Sequence, residues 1–511
     1  TFLAFPMAGQ YAKMGVIAVF PWMCLFLERG MERGRLIHLA GLGGMIGLGV
    51  YSHPPIMFYA LLGLGVYFLF KAYQIYREKA DVKRLAQRSG FFVFSVVLGL
   101  ALGAEGAFPL FFYTRTESKR ATGEEAGGKT AEQQLAYAQS WSLHPEEVAS
   151  LVVPEFGGYD APLEGRSNYW GRNPFKINSE YFGVLAVLLA LMVLPEFRRR
   201  PQVAMWAGIF ALALSYMLGQ HTPIHWLAYH LLPGAKVQRT IAMGSFVFAF
   251  AGCVLAGLGL HRVLEADEEE RAILRRRLLI VGGALTGFAL LLALFPKAMT
   301  GGWIAALYSD ITPKQQQILA ASYNWIAKGG LYVALVAGAG TVLLYLRLQQ
   351  KIAATALIAG LCLLTLFDTW RVDKVYLHYI DPDHYTDIRE ENPRAVEFLK
   401  GDPEHFRIFP LPSFKILDQP GYHLYGVPII TGFHDLTIGR YDRILQELEP
   451  VVQMLSAKYL QGAEVPYGDK ELLAAIQPLL NLLNGKYLAV PKPLELALAD
   501  YPLRFESERF R

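Results

Sequence analysis

The sequence is poor in charged residues and in cysteine. Of its 511 residues only 18% are charged and 53% are apolar, whereas a soluble globular chain carries roughly 25% charged residues. With a mean hydropathy of +0.27, this composition excludes a soluble enzyme and a disordered chain and indicates a bilayer protein. The three cysteines, Cys24, Cys253 and Cys362, lie in apolar runs at irregular spacing. This spacing suits neither a metal site nor a disulfide framework, so we expect reduced core residues.

Several motifs are absent as well. The sequence has no Walker A loop, no G-x-G-x-x-G between a strand and a helix, and no nucleophile elbow. It has no solenoid-type repeat and no basic patch interleaved with aromatic residues, so we expect no nucleic-acid partner. The chain starts at Thr1 and enters an apolar run within a dozen residues. Because no signal-peptide pattern precedes that run, we expect a fragment whose N-terminal spans lie upstream.

About ten apolar windows are long enough to cross the bilayer, which needs roughly 20 residues of helix. They lie near 12–28, 37–51, 56–71, 91–113, 181–197, 202–219, 240–261, 278–296, 329–347 and 352–370. The second and third windows are separated only by the turn at His53–Pro55, which predicts a tight helical hairpin. The predicted fold class is an all-α polytopic membrane bundle with a C-terminal extracytoplasmic α+β domain.

Loops that are rich in lysine and arginine alternate along the chain with loops that contain few of these residues. The rich loops contain Arg29 to Arg35, Lys71 to Arg88, Arg198 to Arg200, Arg262 to Arg277, and Arg347 with Lys351. By the positive-inside rule these loops are cytoplasmic. The loop at 114–180 and the tail 371–511 are then extracytoplasmic, on the outer face of the cell membrane.

Four regions follow from these assignments: helices at 1–113, an outer loop or cap at 114–180, helices at 181–370, and the tail. The loop begins with a hydrophilic stretch, expected to be mobile, and becomes aromatic and rich in Pro and Gly, which favours a compact cap on the membrane surface. In the tail, strand-like segments lie at 405–411 and 485–490, and helical periodicity lies at 440–455 and 470–483.

Ionisable residues inside a span are costly and mark functional candidates. Glu105, flanked by Gly103 and Gly106, is the clearest case, and those glycines would let a helix or a ligand approach closely. The alternative is a wet or Arg-paired residue near the end of its span. His53, at the outer tip of the hairpin, is a candidate for contact with a phosphate or sugar, or a plain turn residue.

Lys236 and Arg239 are the cations of one outer loop, next to an apolar run that begins near Thr240. A cation beside a helix N-terminus at headgroup depth is suited to hold a phosphate, although snorkelling to lipid headgroups explains it equally well. His221 and His225 have i, i+4 spacing, but Pro223 interrupts them and disfavours a metal site. His144 is interpreted as a residue of the cap, and no metal ligands are assigned.

The order of motifs resembles the bacterial YfhO-like membrane proteins, which belong to the GT-C glycosyltransferase class. The resemblance covers nearly the whole chain and rests on the following segments in order: YSHPPIMFY (51–59), SWSLHPEEVASLVVPEFGGYD (140–160), NYWGRNPF (168–175), LLPGAKVQRTIAM (231–243), YGVPIITGFHDLTIGRYDRIL (425–445) and LLNGKYLAV (482–490). In the family, F-R-x-P-x-R usually follows the Pro-Gly. Here Arg239 is kept, whereas Ile241 and Met243 replace the proline and the second arginine.

The resemblance implies transfer of a sugar from a polyprenyl-phosphate-linked donor to a cell-envelope polymer or glycolipid on the outer face. The catalytic acid of the class would lie upstream of Thr1, so no residue here corresponds to it. Arg239 is the expected phosphate contact, and His53, Tyr169 and Trp170 are candidates for sugar contact. A divalent metal is compatible with this chemistry, but no cofactor can be assigned. Membrane lipids are expected partners.

Two alternatives remain open at this point. The chain could transport or flip a lipid-linked glycan, with Glu105 as a coupling or gating group that faces a polar path. It could also be a non-catalytic scaffold for envelope assembly. The adjacent Tyr169 and Trp170 could equally be an interfacial anchor, since both residue types are enriched where membrane meets water.

Overall fold

The structure is a computed structural model of the chain. It describes residues 11–79, 81–119, 130–161, 166–173, 176, 179–238, 241–308, 311–377, 393–410, 422–431, 437–461, 467–489 and 504. The chain divides into two compact units. Unit 1 comprises Thr1–Phe108 and Thr130–His378, and unit 2 comprises Pro109–Lys129 and Tyr379–Arg511.

The first helices are α1 (Tyr11–Arg33), α2 (Leu36–Ser52), α3 (Pro54–Lys79), α4 (Val82–Thr116) and α5 (Ala131–Gln139). After strands β1 (Asp160–Ala161) and β2 (Arg166–Ser167) come α6 (Val184–Val193), α7 (Pro201–Met217), α8 (Pro223–Leu231), α9 (Ser245–Glu265), α10 (Glu268–Leu294), α11 (Pro296–Leu307), α12 (Pro313–Leu348) and α13 (Ala354–Asp373). The remaining elements are α14 (Pro393–Lys400), β3 (Arg407–Pro410), α15 (Gly439–Gln461), α16 (Asp469–Leu482) and β4 (Gly485–Ala489).

Seven of these helices are long and apolar enough to cross a membrane. They are α1, α3, α4, α9, α10, α12 and α13, and the shorter apolar helices α2, α6 and α7 lie at the other three predicted windows. The chain is therefore a helical membrane protein, as its composition predicts. Among the seven, α9 is the most buried at 61% and α4 the least at 17%, so α9 is the central helix of unit 1.

Local sequence explains several helix boundaries. α2 ends and α3 begins at His53-Pro54, where a proline in the first turn needs no backbone hydrogen bond. α12 begins with a capping box in which Thr312 and Gln315 satisfy each other's backbone N–H groups. Asp267 caps α10, whose first turn is acidic, as the helix dipole favours.

Helices α2 and α4 cross at glycines spaced four residues apart on each helix. A Cβ on Gly99 would lie 2.8 Å from the Gly43 carbonyl oxygen, and one on Gly103 would lie 3.1 Å from that of Gly47. Small residues at this spacing let backbones touch, and van der Waals packing then holds membrane helices together. The prediction that a helix approaches α4 closely at Gly103 is confirmed.

The cysteine prediction is correct only in part. All three cysteines are free, but Cys24 is buried while Cys253 and Cys362 are exposed. An apolar run predicts a membrane helix without telling which of its faces packs against neighbours, since the bilayer is as apolar as a protein interior. The two exposed cysteines lie on faces that unit 1 leaves uncovered in its described part.

Unit 1 collects the predicted cation-rich loops at one end of the helices, which we call the cation end. There Lys71 of α3 pairs with Glu28 of α1 at 2.8 Å, and Arg262 of α9 bonds Glu196, which follows α6, at 3.2 Å. The described residues between 130 and 181 lie at the opposite end, which we call the loop end. There the Leu143 N–H donates to the last carbonyl of α7, at Met217 (2.8 Å). Which end faces the cytoplasm stays a prediction.

The described part of unit 2 mixes helices with one short sheet. β3 and β4 pair in parallel, with Ile408 opposite Tyr487, and α15 packs on α16 through an apolar core that includes Leu448, Val452 and Leu473. These elements lie where the sequence periodicity predicts them. The domain boundaries and the extracytoplasmic placement of this unit stay predictions, and the predicted mobile stretch 118–134 lies largely outside the described residues.

Candidate functional site

His53 occupies the turn between α2 and α3. Its Nδ1 accepts the Ile56 N–H at 3.2 Å, so the imidazole closes the first turn of α3. Burial, followed by the charge of Lys13, lowers the pKa of His53 to about 4. The ring is therefore neutral near pH 7 with its proton on Nε2. This placement shows a structural role for Nδ1, and contact with a ligand through Nε2 stays a prediction.

Of the two cations predicted to bind phosphate, Lys236 lies within the described residues and Arg239 does not. Lys236 is exposed, with its Nζ 5.8 Å from the centre of the Tyr229 ring. It lies in the short turn Ala235–Val237, and a further turn at Ile241–Gly244 precedes α9, so Lys236 does not stand at the first turn of that helix.

Glu105 is exposed on α4. The helix that approaches α4 does so on the opposite face, where Gly103 is buried against Val50. A coupling group in a transporter is expected to be buried in the interior of its bundle, whereas Glu105 is exposed. Acids that unit 1 does bury near the ends of apolar helices include Asp368, which is 1% exposed, and Glu196, which is 8% exposed.

Tyr169 and Trp170 are buried in the folded loop rather than displayed at its surface. Trp170 is 1% exposed, and its indole N–H donates to the Phe156 carbonyl at 2.7 Å. The Tyr169 hydroxyl accepts the Asn173 N–H at 3.1 Å. The polar atoms of both side chains thus already have hydrogen-bond partners within the loop, so their predicted sugar contact gains no support from the geometry.

The loop is held together by four buried charged residues and the half-buried Arg172. We call this group the loop ion cluster: Glu146, Glu147, Arg172, Lys176 and Glu180. Arg172 binds Glu146 through Nε at 2.9 Å. The Lys176 ammonium lies 3.3 Å from Glu147 and 2.7 Å from Glu180. Burial alone would lower the pKa of Lys176, but the two carboxylates raise it. Burial raises the pKa of Glu146. These paired charges fix the loop conformation.

A second ionic contact ties the loop to α13. Arg371 donates to Glu155 of the loop and, at 3.2 Å, to Asp368. The other Asp368 oxygen accepts the Tyr181 hydroxyl at 2.5 Å and the Val184 N–H at 3.2 Å. Burial raises the pKa of Glu155, although Arg371 opposes the shift.

Two histidines join the loop to the end of α7. Nδ1 of His144 lies 3.1 Å from Nε2 of His221, so one nitrogen donates and the other accepts. Burial, then Arg172, lowers the pKa of both rings, that of His144 to about 3. Both rings are therefore neutral near pH 7. His221 and His225 point to different partners, and in the described ranges no three His, Cys, Asp or Glu side chains are grouped to hold a metal ion.

The candidate site lies beside this histidine pair, and we call it the His–Tyr site: Tyr59 of α3, Tyr216 of α7, His225 of α8 and Gln139 of α5. The ring centroids of Tyr59 and Tyr216 are 6.1 Å apart, and those of Tyr216 and His225 are 5.1 Å apart. His225 is 0% exposed, Tyr59 3% and Tyr216 7%. Residues distant in sequence thus form one buried polar cluster among apolar helices.

The His–Tyr site contains three buried polar atoms that have no hydrogen-bond partner within the described part of the chain. They are the Tyr59 and Tyr216 hydroxyl oxygens and Nε2 of His225. Gln139 Nε2 lies 3.2 Å from His225 Nδ1, so the amide donates there and the imidazole proton lies on Nε2. Burial lowers the pKa of His225 to about 4. An unmet buried polar group costs about 1–3 kcal/mol, which favours a ligand that hydrogen-bonds here.

Neighbouring glycines shape this site. A Cβ on Gly244 would lie 3.0 Å from Cγ of Tyr59, so the chain before α9 passes close to that ring. Gly219 has φ +53, and a Cβ there would lie 1.9 Å from Oγ of Ser142. Glycine at both positions lets the loop and the helix ends close around the site.

Sequence reasoning missed this site for a simple reason. Tyrosine and histidine near helix ends are common, and only the fold shows which of them are buried without a partner. Asp368 and Arg371 carry a signal that the sequence does show, namely an acid and a base three residues apart at the end of an apolar window.

Comparisons with known proteins add no name to this geometry. No protein-family model, curated protein or solved structure matches the chain. The seven long apolar helices in the part of the chain that the structure describes define the class, a helical membrane protein.

Proposed function

We propose that this chain is a membrane glycosyltransferase-like protein, related to the YfhO-like GT-C proteins, that transfers a sugar from a polyprenyl-phosphate-linked donor to an envelope acceptor. In this proposal the three shorter apolar helices complete a set of ten spans, and the loop end and unit 2 are extracytoplasmic. The observation that carries it is the group of three unpartnered polar atoms at the His–Tyr site.

The chemistry of those atoms suits a sugar. A neutral His225 offers one N–H donor, and each tyrosine hydroxyl offers a donor and an acceptor. Sugar hydroxyls present both functions close together and can satisfy all three groups at once. The site is lined by α3 and α7 near their loop-end termini, so a donor whose lipid chain lies in the bilayer could place its sugar there.

The proposal assigns roles by position. Tyr59, Tyr216 and His225 contact the sugar, and Arg239, with Lys236 nearby in sequence, contacts the phosphate. Loss of a polyprenyl phosphate requires stabilisation of the departing negative charge, which a cation supplies. Glu105, Tyr169 and Trp170 have no role in sugar contact under this assignment.

Binding and stability measured together test the proposal. Tyr216→Phe removes a buried hydroxyl that lacks a partner, so the ligand-free protein should become more stable by about 1 kcal/mol. The same change should weaken donor binding about fivefold to tenfold, because a ligand hydrogen bond is lost. The measurement is thermal unfolding in nanodiscs, with and without short-chain polyprenyl-phosphate hexoses. Tyr59→Phe should behave alike.

The matched control is Tyr345→Phe, a half-buried tyrosine of α12 in a different apolar cluster. It should leave donor binding unchanged. If no hexose donor raises the unfolding temperature of the wild type, or if Tyr216→Phe and Tyr345→Phe bind every donor equally, the sugar site is not at Tyr216 and the proposal fails.

A further inference from the structure

The cation end of unit 1 contains a polar groove with a volume of about 300 Å³. It opens between the last turns of α3 and α9 and the first turn of α7. Its polar lining residues are Gln74, Arg199, Arg200, Gln202, His261 and Arg262, and Val193, Val203 and Leu258 form its apolar side. Arginines beside an apolar wall are the combination expected of a site at a membrane surface, where a charged group and a hydrocarbon chain meet.

The arginines at this groove outnumber the carboxylates that bind them. Glu196 accepts from Arg200 at 2.8 Å, Arg262 at 3.2 Å and Arg277 at 2.9 Å. Glu270 accepts from Arg262 at 2.6 and 3.1 Å. Two carboxylates thus face three guanidinium groups, and one positive charge of this network is left unbalanced.

Arg199 adds a further cation at the groove. Its side chain is exposed, and among the described residues no carboxylate lies within ion-pair distance of it. His261, which also lines the groove, lies 3.1 Å from the carboxylate of Glu265. Four arginines (Arg199, Arg200, Arg262 and Arg277) thus stand against three carboxylates (Glu196, Glu265 and Glu270), so the groove keeps a positive charge in surplus.

The helix geometry adds to the same preference. α7 begins at Pro201, and Gln202 and Val203 of its first turn line the groove. The N–H groups of a first helical turn lack intrahelical partners and carry the positive end of the helix dipole. Guanidinium groups bind phosphate oxygens through paired donors. The surplus of arginine, the helix N-terminus and the apolar wall all favour the same kind of ligand, a phosphate group attached to hydrocarbon.

We propose that this groove binds a phosphate group, as presented by the headgroup of an anionic phospholipid whose acyl chains lie against the apolar wall. Such a ligand balances the arginine surplus and holds the ends of α3, α7 and α9 together. The site is at the opposite end of unit 1 from the His–Tyr site and does not depend on the proposed sugar transfer.

Lipid binding by native mass spectrometry tests this, with the full chain released from detergent and titrated with phosphatidylglycerol, phosphatidylcholine or inorganic phosphate. Phosphatidylglycerol should bind better than phosphatidylcholine. Arg199→Gln and Arg200→Gln should each weaken phosphatidylglycerol binding about fivefold, since one arginine near an anionic surface contributes about that factor. Arg33→Gln, an exposed cation at the end of α1, is the matched control and should change nothing.

The outcomes separate the sources of phosphate. In one outcome, inorganic phosphate at millimolar concentration displaces phosphatidylglycerol from the wild type but does not displace the phosphatidylglycerol that Arg199→Gln still binds. The groove then recognises the phosphate group itself. If phosphatidylglycerol displaces phosphate and not the reverse, the acyl chains contribute and the ligand is a lipid. Equal weakening by Arg33→Gln and Arg199→Gln would show a diffuse surface charge effect and overturn the proposal, as would unchanged binding in all three variants.

Discussion

The two ends of unit 1 use charge in opposite ways. At the loop end the charged side chains are buried and paired, as with Glu146 at 0% and Lys176 at 8% exposure. At the cation end they are more exposed, as with Arg200, whose side chain is 44% exposed, and positive charges are in surplus. Buried pairs fix a conformation because breaking them strands a charge, whereas exposed cations contribute little to stability and remain available to a ligand.

The largest effect is expected from Lys176→Met. The change leaves Glu147 and Glu180 buried without their cation, which should destabilise the protein by about 3–5 kcal/mol at pH 7. The measurement is reversible unfolding in nanodiscs, and Lys297→Met, at an exposed lysine, is the control. Equal stability of the two variants would contradict the buried pairing.

Gly219→Ala should have the next largest effect. The residue has φ +53, and its new methyl group would meet Ser142 of the loop. Left-handed backbone at a residue other than glycine costs about 1–2 kcal/mol, and overpacking adds about 1–3 kcal/mol. The control is Gly208→Ala in α7, where a Cβ meets nothing within 4 Å; it should be neutral or slightly stabilising. The check is the unfolding free energy of both variants, and similar losses in both would show that the loop does not pack at Gly219.

The pH dependence of stability should change with His225→Gln. Burial lowers the pKa of His225 to about 4, below the value of about 6.5 in an unfolded chain. Between those values the unfolded state binds the proton and the folded state does not, so His225 makes stability fall as pH falls from 6.5 to 4. The slope from one group is at most about 1.4 kcal/mol per pH unit. A plot of unfolding free energy against pH should be flatter for His225→Gln than for the wild type over this window. Parallel plots for the two proteins would contradict the burial of a neutral imidazole.

The smallest effects are expected at the cation end. Arg199→Gln should change the unfolding free energy by less than about 0.5 kcal/mol, and Arg200→Gln, which loses an exposed pair with Glu196, by about 1 kcal/mol or less. Stability should be measured in phosphatidylcholine nanodiscs, so that anionic lipid does not contribute. A loss of several kcal/mol from Arg199→Gln would mean that both ends of unit 1 are built alike.

The positions of the helices could be predicted well from the sequence, because an apolar run must form backbone hydrogen bonds internally within a membrane. The predicted window 278–296 ends at Pro296, the first residue of α11 and two residues beyond the end of α10, and the strand predicted at 485–490 matches β4 within one residue. Windows underestimate some helices, since α10 and α12 begin before their predicted windows with charged or polar turns.

The candidate site could not be predicted in the same way. The contacts of His225 with Gln139 and of Arg371 with Glu155 join residues 86 and 216 positions apart, and no periodicity encodes such distances. Trp170 and Tyr169 look in sequence like a membrane-surface anchor, yet the loop folds over them. Local sequence patterns predict the secondary structure of a segment, whereas the residues that its side chains contact depend on the fold.

The glycine crossing of α2 and α4 has a consequence for how this chain can vary over evolutionary time. At Gly99 and Gly103 even a methyl group would meet the opposite backbone, whereas at Gly90, on the same helix, it would meet nothing within 4 Å. In any homologue that keeps this fold, the two crossing positions should therefore admit almost no substitution while Gly90 drifts freely. A spacing of four between invariant glycines would then identify such relatives even where the lipid-facing residues of both helices have been replaced throughout.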